Sequence, residues 1–230
     1  MALPTVKSST KISKIGDRKI KIRAYSGKEE KALLMAKLQK DPKALVQTCI
    51  DVLSSCAEFD ASTLSTGEFE KLFLDIRCIS VSDVLEPNLV CTACQQATPA
   101  KIPVAQLKEP EKYVEEKDFE VGEDASGNKI FVRLRTPSIG DITRLGSEDE
   151  SDMKIIHASV KSIYTSGGEV FEDFEYEEFR DWFEKLTGVY LQAVLFAREA
   201  PTITYTKKFK CVHCKADNEY ELKGLESFLL

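Results

Sequence analysis

The stretch Cys211-Val212-His213-Cys214 lies near the C-terminus, and Cys91-Thr92-Ala93-Cys94 repeats its spacing in mid-chain. Strand-like sequence flanks each pair, as in the two halves of a zinc ribbon. Zinc prefers four thiolates in a tetrahedron, and a gap of two residues lets neighbouring sulfurs bind one ion at about 2.3 Å. We therefore expect a structural Zn2+ site without an open coordination position, whose ligands are Cys91, Cys94, Cys211 and Cys214.

The long separation of the two pairs leaves alternatives open for this site. The pairs are 116 residues apart, so one shared ion would close about half of the chain into a loop. The rival arrangements are two half-sites completed by partner chains, and knuckles without metal. His213 lies inside its knuckle and is a further candidate ligand, although four thiolates already satisfy zinc.

Length and composition are those of an ordinary soluble globular chain. The 230 residues are 43% hydrophobic and 30% charged, and the net charge is −6. A duplex-binding protein usually shows a basic face, so this acidic balance argues against nucleic-acid binding by the whole surface. No apolar run approaches the roughly 18 residues of a membrane span, and the N-terminus lacks the apolar segment of a signal peptide.

The seven cysteines fit a protein of a reducing cytosol. In that compartment, cysteines indicate a metal site and buried free thiols rather than a disulfide framework. Cys49 and Cys56 lie seven residues apart on one face of a helical pattern, and we expect both of them in the core.

The first half of the sequence predicts a strand, three helices and the first cysteine pair. Residues 18–25 alternate polar and apolar side chains, as in a half-buried strand. Ser26 with Glu29 has the form of a capping box, and Asp41-Pro42 begins a helix with proline at its first position. The expected elements are an amphipathic helix with Leu33, Leu34 and Leu38, helices that begin at Asp41 and near Thr66, and strands over 88–90 and 102–104.

The second half repeats this order after a charged, poorly periodic connection. A shift of 110 residues carries apolar helix positions onto apolar positions, whereas the two cysteine pairs differ by 120. Shared helical periodicity alone produces some such matches, but the common order of strand, helices and cysteine pair favours a duplication. The shift carries seven apolar residues of the first half onto apolar residues of the second half: Leu45, Val46, Ile50, Leu53, Phe69, Leu72 and Phe73 onto Ile155, Ile156, Val160, Ile163, Phe179, Trp182 and Phe183.

We therefore predict a mainly helical α+β protein of two tandem similar units, each with a zinc-knuckle β-hairpin, and one Zn2+ shared by the two knuckles. The predicted division is a flexible N-terminal arm over residues 1–17, repeat unit 1 over 18–107, a connection over 108–127 and repeat unit 2 over 128–230.

Catalytic motifs are absent from the sequence. His157 and His213 are its two histidines, and neither belongs to an evident Ser–His–acid or Cys–His set. His157 falls on a polar helix position, where we expect it to be solvated. No phosphate-binding loop is present, and the acidic residues 169–178 lack the spacing of a calcium loop, which favours a solvated loop and helix start. We expect no enzymatic activity.

An ordered set of segments points to a known family. A strand that ends in Arg23-Ala24-Tyr25 precedes the helix sequence Lys-Glu-Glu-Lys-Ala-Leu-Leu-Met at 28–35, and the chain closes with Phe209-x-Cys-x-x-Cys and Gly-Leu-Glu-Ser-Phe at 224–228. From about residue 18 to the end, this set resembles the baseplate hub protein family of contractile-tailed, T-even-type bacteriophages. Lys215 stands where that family is expected to have glycine, and Phe228-Leu229-Leu230 stands in place of a paired aromatic.

The resemblance implies a non-enzymatic role in tail assembly. Such a protein is a baseplate hub component that binds other hub or tape-measure proteins, or copies of itself, and neither nucleic acid nor membrane. Its location is the virion tail baseplate, the host cytoplasm during assembly, or both. The alternatives are a chaperone for the hub or tape-measure protein that is absent from the finished virion, and a zinc-ribbon protein that binds nucleic acid through Lys207, Lys208 and Lys210.

Overall fold

The computed structural model describes residues 7–145 and 152–228. In these residues seven α-helices and twelve short strands confirm the α+β class, and every helix is too short or too polar to cross a membrane. In chain order the elements are β1 (Thr10–Ile15), β2 (Arg18–Arg23), α1 (Gly27–Gln39), α2 (Pro42–Ala57), α3 (Thr66–Ser80), β3 (Val84–Leu85), β4 (Asn88–Val90), β5 (Ala97–Pro99), β6 (Ile102–Pro103), β7 (Glu116–Glu123), β8 (Lys129–Arg135), α4 (Ile139–Arg144), α5 (Asp152–Ser159), β9 (Val160–Thr165), β10 (Val170–Phe171), α6 (Tyr176–Phe183), α7 (Tyr190–Arg198), β11 (Thr204–Lys210) and β12 (Asp217–Lys223).

Contacts divide the chain into two compact units. The cysteine unit comprises Met1–Ala61, Gly67–Glu111 and Thr202–Leu230, and the sheet unit comprises Ser62–Thr66 and Lys112–Pro201. The predicted repeat units, 18–107 and 128–230, are a division by sequence similarity rather than by contact. They stay a prediction, as does the mainly helical character of the chain.

The cysteine unit begins with an antiparallel hairpin of β1 and β2. Ile15 pairs with Arg18, so Gly16 and Asp17 form a two-residue turn, and Gly16 has φ +56°. Glycine accepts this conformation without steric cost, and such turns fit the twist of a hairpin. The turn therefore brings residues 10–15 back along β2.

Residues 10–15 correct the expectation of a flexible arm over residues 1–17. Ile15 is fully buried at 0% exposure, and the buried Ser13 hydroxyl donates a hydrogen bond of 2.6 Å to Asp75 in α3. The ladder with β2 and this contact hold the segment, so its polar composition does not make it loose. Residues 1–6 of the predicted arm lie outside the described residues.

The three helices of the cysteine unit begin where the sequence predicts them. The Asp41 carboxylate caps α2 by accepting hydrogen bonds from the amides of Lys43 and Ala44, and Pro42 is the first helical residue. Ser26 and Glu29 form the expected capping box of α1. Each cap satisfies amides that otherwise lack a partner at the helix start.

The side of α1 that is buried differs from the prediction. Leu33 and Ala36 are buried, whereas Leu34 is 57% and Leu38 is 75% exposed. Positions three apart share one side of a helix, so Leu33 and Ala36 define the packed side and Leu34 and Leu38 point away from it. Leu34 and Leu38 therefore form an exposed apolar surface instead of the predicted core stripe.

Arg23 joins the end of β2 to α1 and α2. Its guanidinium donates to both carboxylate oxygens of Glu29, at 3.0 and 2.7 Å, and to the Ser55 hydroxyl at 2.8 Å. The hydrogen bonds from Arg23, helped by Ser26 and Ser55, lower the pKa of Glu29 to about 2. One bidentate contact therefore fixes the start of α1 on the hairpin.

The sheet unit contains an equivalent contact at the end of β8. Arg135 donates to Asp141 at 3.1 Å, and Ser138 and Asp141 form the capping box of α4. Arg135, Ser138 and Asp141 each lie 112 residues after Arg23, Ser26 and Glu29. A hairpin, an arginine and a capped helix therefore occur in the same order in both units, at an offset of 112 residues rather than 110, and the duplication stays a prediction.

Glu70 anchors the C-terminal segment of the cysteine unit to α3. Its fully buried carboxylate accepts hydrogen bonds from the Thr202 hydroxyl, at 2.6 and 2.8 Å, and from the Ile203 amide at 2.8 Å. Burial raises the pKa of Glu70. Lys108 and Thr204 also exchange two backbone hydrogen bonds, of 2.8 and 3.0 Å. Residues 202–204 are thereby held against α3 and beside Lys108, at the point where the chain enters β11.

The small ladders around the first cysteine pair correct one predicted strand. β4 pairs with β5 across the knuckle, with Val90 opposite Ala97, whereas β6 pairs with β3. The strand that leaves the knuckle is therefore Ala97–Pro99 and not residues 102–104. The tight hairpin closes before residue 102, and Ile102 is free to pair with Leu85 instead.

The sheet unit is a four-stranded antiparallel sheet in the order β10-β9-β8-β7, with four helices. Its core is one apolar cluster that includes Val132 and Leu134 of β8, Ile156 of α5, and Phe179 and Phe183 of α6. His157, expected to be solvated, is half-buried and contacts the rings of Phe174, Tyr176 and Phe179.

Three strands of this sheet differ from the prediction, and one of them is β10, which lies in the acidic stretch 169–178 expected to be a loop and helix start. Residues 116–123, read as irregular connection, form β7, because Phe119 and Val121 alternate with charged residues. Val160 and Ile163, matched to helix positions by the 110-residue shift, lie in β9. Branched side chains at 160, 163 and 165 favour a strand. The 110-residue shift therefore aligns residues of strand β9 with residues of helix α2, so the match fails at these positions. It holds for Phe179, Trp182 and Phe183, which do lie on a helix.

We predict that acid weakens the contact between Arg23 and Glu29. Because the pKa of Glu29 is lowered from 4.5 to about 2, the unfolded chain takes up this proton at a higher pH than the folded chain. The contribution to stability is complete above pH 4.5 and is lost as the pH falls toward 2. Urea unfolding over this range should show the loss in the wild type and in the control Glu30→Gln, but less of it in Glu29→Gln. Equal acid losses in all three proteins would contradict the assignment.

Candidate metal centre

The two cysteine knuckles have the same backbone conformation. The amide of Gln95 donates to the Cys91 carbonyl at 2.9 Å, and the amide of Lys215 donates to the Cys211 carbonyl at 3.1 Å. Gln95 and Lys215 have φ values of +58° and +61°. This left-handed conformation suits glycine, which explains why glycine fits the position that Lys215 occupies.

The structure brings the four predicted ligands together within the cysteine unit. The sulfurs of Cys91 and Cys214 are 3.6 Å apart, as are those of Cys94 and Cys211, and all four sulfurs lie within 4.8 Å of one another. Four sulfurs at 2.3 Å from a central ion would be about 3.8 Å apart. The donor set therefore fits one tetrahedral metal ion, and this geometry favours a shared ion over two separate half-sites.

Asn218 links the two knuckles beside the sulfurs. Its side-chain oxygen accepts hydrogen bonds of 2.9 Å from the amide and from the hydroxyl of Thr92. Its side-chain nitrogen donates to the Cys91 sulfur at 3.4 Å and to the Ala216 carbonyl at 2.8 Å. Every hydrogen-bonding position of the amide is therefore filled, and one donor points at a candidate ligand.

Thr98 makes the corresponding contact from the other hairpin. Its hydroxyl accepts a hydrogen bond of 3.3 Å from the amide of Val212. Thr98 and Asn218 each follow the first cysteine of their pair by seven residues, and Thr92 and Val212 each follow it by one. The two hairpins thus exchange equivalent contacts, as a local twofold arrangement requires.

Backbone amides and neighbouring thiols determine the pKa values of these cysteines. The amide of Cys214 lowers the pKa of Cys211 to about 6, and the amide of Cys94 lowers that of Cys91. The amide of Gln96 lowers the pKa of Cys94, but burial and the three other thiols outweigh it and raise that pKa to about 12. Four adjacent thiolates need a cation to balance their charge, so metal binding would release protons.

His213 does not join the candidate ligands. Its side chain is exposed, and its backbone amide donates to the Cys211 sulfur at 3.4 Å. In the described residues the metal-competent cluster consists of the four cysteines. Such a closed site suits a structural ion rather than a catalytic one, because four protein ligands leave no position for substrate.

The sequence predicts the four cysteines as ligands, and their sulfurs do lie together, whereas the contacts of Asn218 and Thr98 were not predicted. A single amide or hydroxyl in a strand carries no local signal of a role at the metal centre. A comparison of the two cysteine pairs could have found them, because Thr98 and Asn218 occupy the same position relative to their own pair.

We predict that Asn218→Ala weakens zinc binding about 10- to 100-fold, the usual effect of losing a contact to a metal ligand. The change leaves the Thr92 amide and the Cys91 sulfur without their partner. Competition with a chromophoric zinc chelator measures the affinity. Asp217→Ala, which changes an exposed neighbour on the same strand, is the matched control. An affinity equal to that of the wild type in Asn218→Ala would remove this role.

Comparison with known proteins relates the chain to a family by its sequence. No curated protein and no solved structure matches the chain significantly. The sequence model of the family described as "T4 bacteriophage base plate protein" matches residues 5–230. This match covers nearly the whole chain, including both cysteine pairs, and confirms the resemblance to a T-even-type phage baseplate family. The chain belongs to the T4 bacteriophage base plate protein family.

Proposed function

We propose that this protein is a non-enzymatic component of the phage baseplate hub, which acts in tail assembly by binding other hub or tape-measure proteins. The family match over residues 5–230 is the observation that carries this proposal. A baseplate protein works through contacts with other structural proteins of the phage, and its place would be the baseplate of the virion tail.

Exposed apolar side chains on two helices support a role in binding proteins. Leu34, Met35 and Leu38 of α1 are each more than half exposed, and Leu191 and Leu195 of α7 are exposed to a similar degree. Single exposed apolar residues are common, but groups of them mark surfaces for protein contact. These groups fit a protein that associates with others more readily than one that acts alone.

We propose that the four cysteines bind one structural Zn2+. Because Cys91 and Cys94 lie in the mid-chain hairpin and Cys211 and Cys214 in the C-terminal hairpin, one ion would join the two hairpins of the cysteine unit. The ion would supply cohesion and no reaction chemistry. The proposal rests on the sulfur distances and on the polar contacts of Asn218 and Thr98.

The nucleic-acid alternative finds little support in the C-terminal hairpin. Lys208 faces Glu219 and Lys210 faces Asp217 across the β11–β12 ladder, and each pair of charged atoms is 3.8 Å apart. Alternating charges on one hairpin do not produce the basic face that phosphate binding needs.

The zinc proposal predicts one metal ion per chain. Native mass spectrometry at neutral pH should show a single Zn2+ in the wild type and none in Cys214→Ser. Strong chelators should unfold the cysteine unit, because metal binding and folding are coupled in such sites. Cys78→Ser, which changes a thiol outside the cluster, should keep its ion. A wild-type chain that folds without bound metal would contradict the proposal.

The hub proposal predicts that the protein is retained in the particle. Quantitative mass spectrometry of purified virions should detect its peptides in a fixed ratio to other baseplate proteins. Particles assembled with the Cys214→Ser variant in place of the wild-type protein should contain fewer copies of this protein. Presence in assembly intermediates but absence from finished virions would replace this proposal with the chaperone alternative.

A further inference from the structure

One face of α1 combines exposed apolar residues with lysines. Leu34 and Leu38 lie one turn apart, Met35 lies beside them, and Lys28 and Lys31 continue the same face toward the helix start. All five side chains are exposed. Lysine in the first turn opposes the helix dipole, so this arrangement does little for the stability of α1. We name these five residues the α1 face.

The sheet unit contains a groove that is also apolar but is lined by acidic rather than basic residues. Its volume is about 350 Å3, and its apolar lining includes Ile163, Phe171, Phe174, Phe179 and Trp182. For scale, an apolar cavity of about 150 Å3 holds one benzene-sized group, so this groove has room for two large apolar side chains. Phe171 belongs to the edge strand β10 and is 52% exposed.

Carboxylates surround this groove. Asp124, Glu169, Asp173 and Glu178 all line it, and residues 169–178 contain six acidic residues and no basic one. Within the described residues, no lysine or arginine forms an ion pair with Glu169, Asp173 or Glu178. Uncompensated negative charge around an apolar groove selects an occupant that is apolar and flanked by positive charge. We name this site the acidic groove.

We propose that the α1 face of one chain docks into the acidic groove of a second copy of the same chain. The leucines would fill the apolar lining, and Lys28 and Lys31 would lie near the carboxylates. Two observations support this contact: the charges of the two surfaces are complementary, and the volume of the groove matches two large apolar side chains. The proposal is independent of the metal centre, and it goes beyond the hub role by assigning a self-association surface.

This contact is heterologous, because the two participating surfaces differ. Each chain carries one α1 face and one acidic groove, so every added copy leaves one of each available. Such head-to-tail contacts produce rings when the rotation closes and open chains when it does not. When the rotation closes after two copies, the two contacts are reciprocal and the product is a symmetric dimer; otherwise the product is a larger ring or an open chain.

The experiment is sedimentation velocity with complementary variants. Leu34→Asp with Leu38→Asp removes the α1 face, and Glu169→Lys with Glu178→Lys removes the charge of the acidic groove. The wild type should associate as its concentration rises from about 1 µM to about 1 mM, and each double variant should associate at least about tenfold more weakly. An equimolar mixture of the two variants should form a dimer that does not grow, because it contains only one intact face and one intact groove.

Matched controls separate this contact from general effects. Leu191→Asp introduces a charge at an equally exposed leucine, and Glu184→Lys reverses a charge outside the groove; both should associate like the wild type. Circular dichroism establishes that every variant is folded. High salt should weaken the association, because the Debye length falls to about 3 Å at 1 M. A monomeric wild type, association that survives both double variants, or a mixture that stays monomeric would each overturn the proposal.

Discussion

The close approach of four sulfurs is the constraint on which the cysteine unit depends. It joins hairpins that are 116 residues apart in the chain, and residues 112–201 of the sheet unit lie within that interval. Loop-closure entropy grows slowly, by about 0.6 kcal/mol for each doubling of length, so a long insertion between the hairpins costs little extra. The larger cost is electrostatic, because thiolates repel one another at this distance. A bound dication would remove that repulsion, and the buried Asn218 and Thr98 already link the two knuckles by hydrogen bonds.

Local chemistry made much of the fold predictable. Ser26, Glu29, Asp41 and Pro42 are helix-start residues whose effect extends over three or four neighbours, and the predicted helices begin there. The cysteine spacing identified the candidate site for the same reason. The missed features depend on distant partners. Strand β1 is held by its pairing with β2 and by the hydrogen bond to Asp75. Leu34 and Leu38 of α1 were expected to be buried but are exposed, because periodicity does not say which side of a helix is covered. Glu70 accepts hydrogen bonds from Thr202 and Ile203, which follow it by 132 and 133 residues, and a local sequence pattern cannot predict a contact over such a separation.

The similarity between the two halves is uneven along the chain. The offset is 112 residues at the arginine and capping box, and 120 residues at the cysteine knuckles. Contacts are equivalent at both places, since arginine binds the capping acid and a polar side chain seven residues after the first cysteine accepts from the opposite knuckle. Between them, β9 and β10 have no counterpart in the order of the first three helices. If the two halves have a common origin, the capped hairpin and the knuckle are the parts that kept their geometry.

The paired backbone hydrogen bonds between Lys108 and Thr204 have a consequence for how such a chain tolerates change. They hold the departure and the return of residues 112–201 side by side on the cysteine unit. Because the two ends of this segment are neighbours, its loops can vary in length without separating Lys108 from Thr204, provided that the contacts of residues 62–66 with the sheet unit are kept.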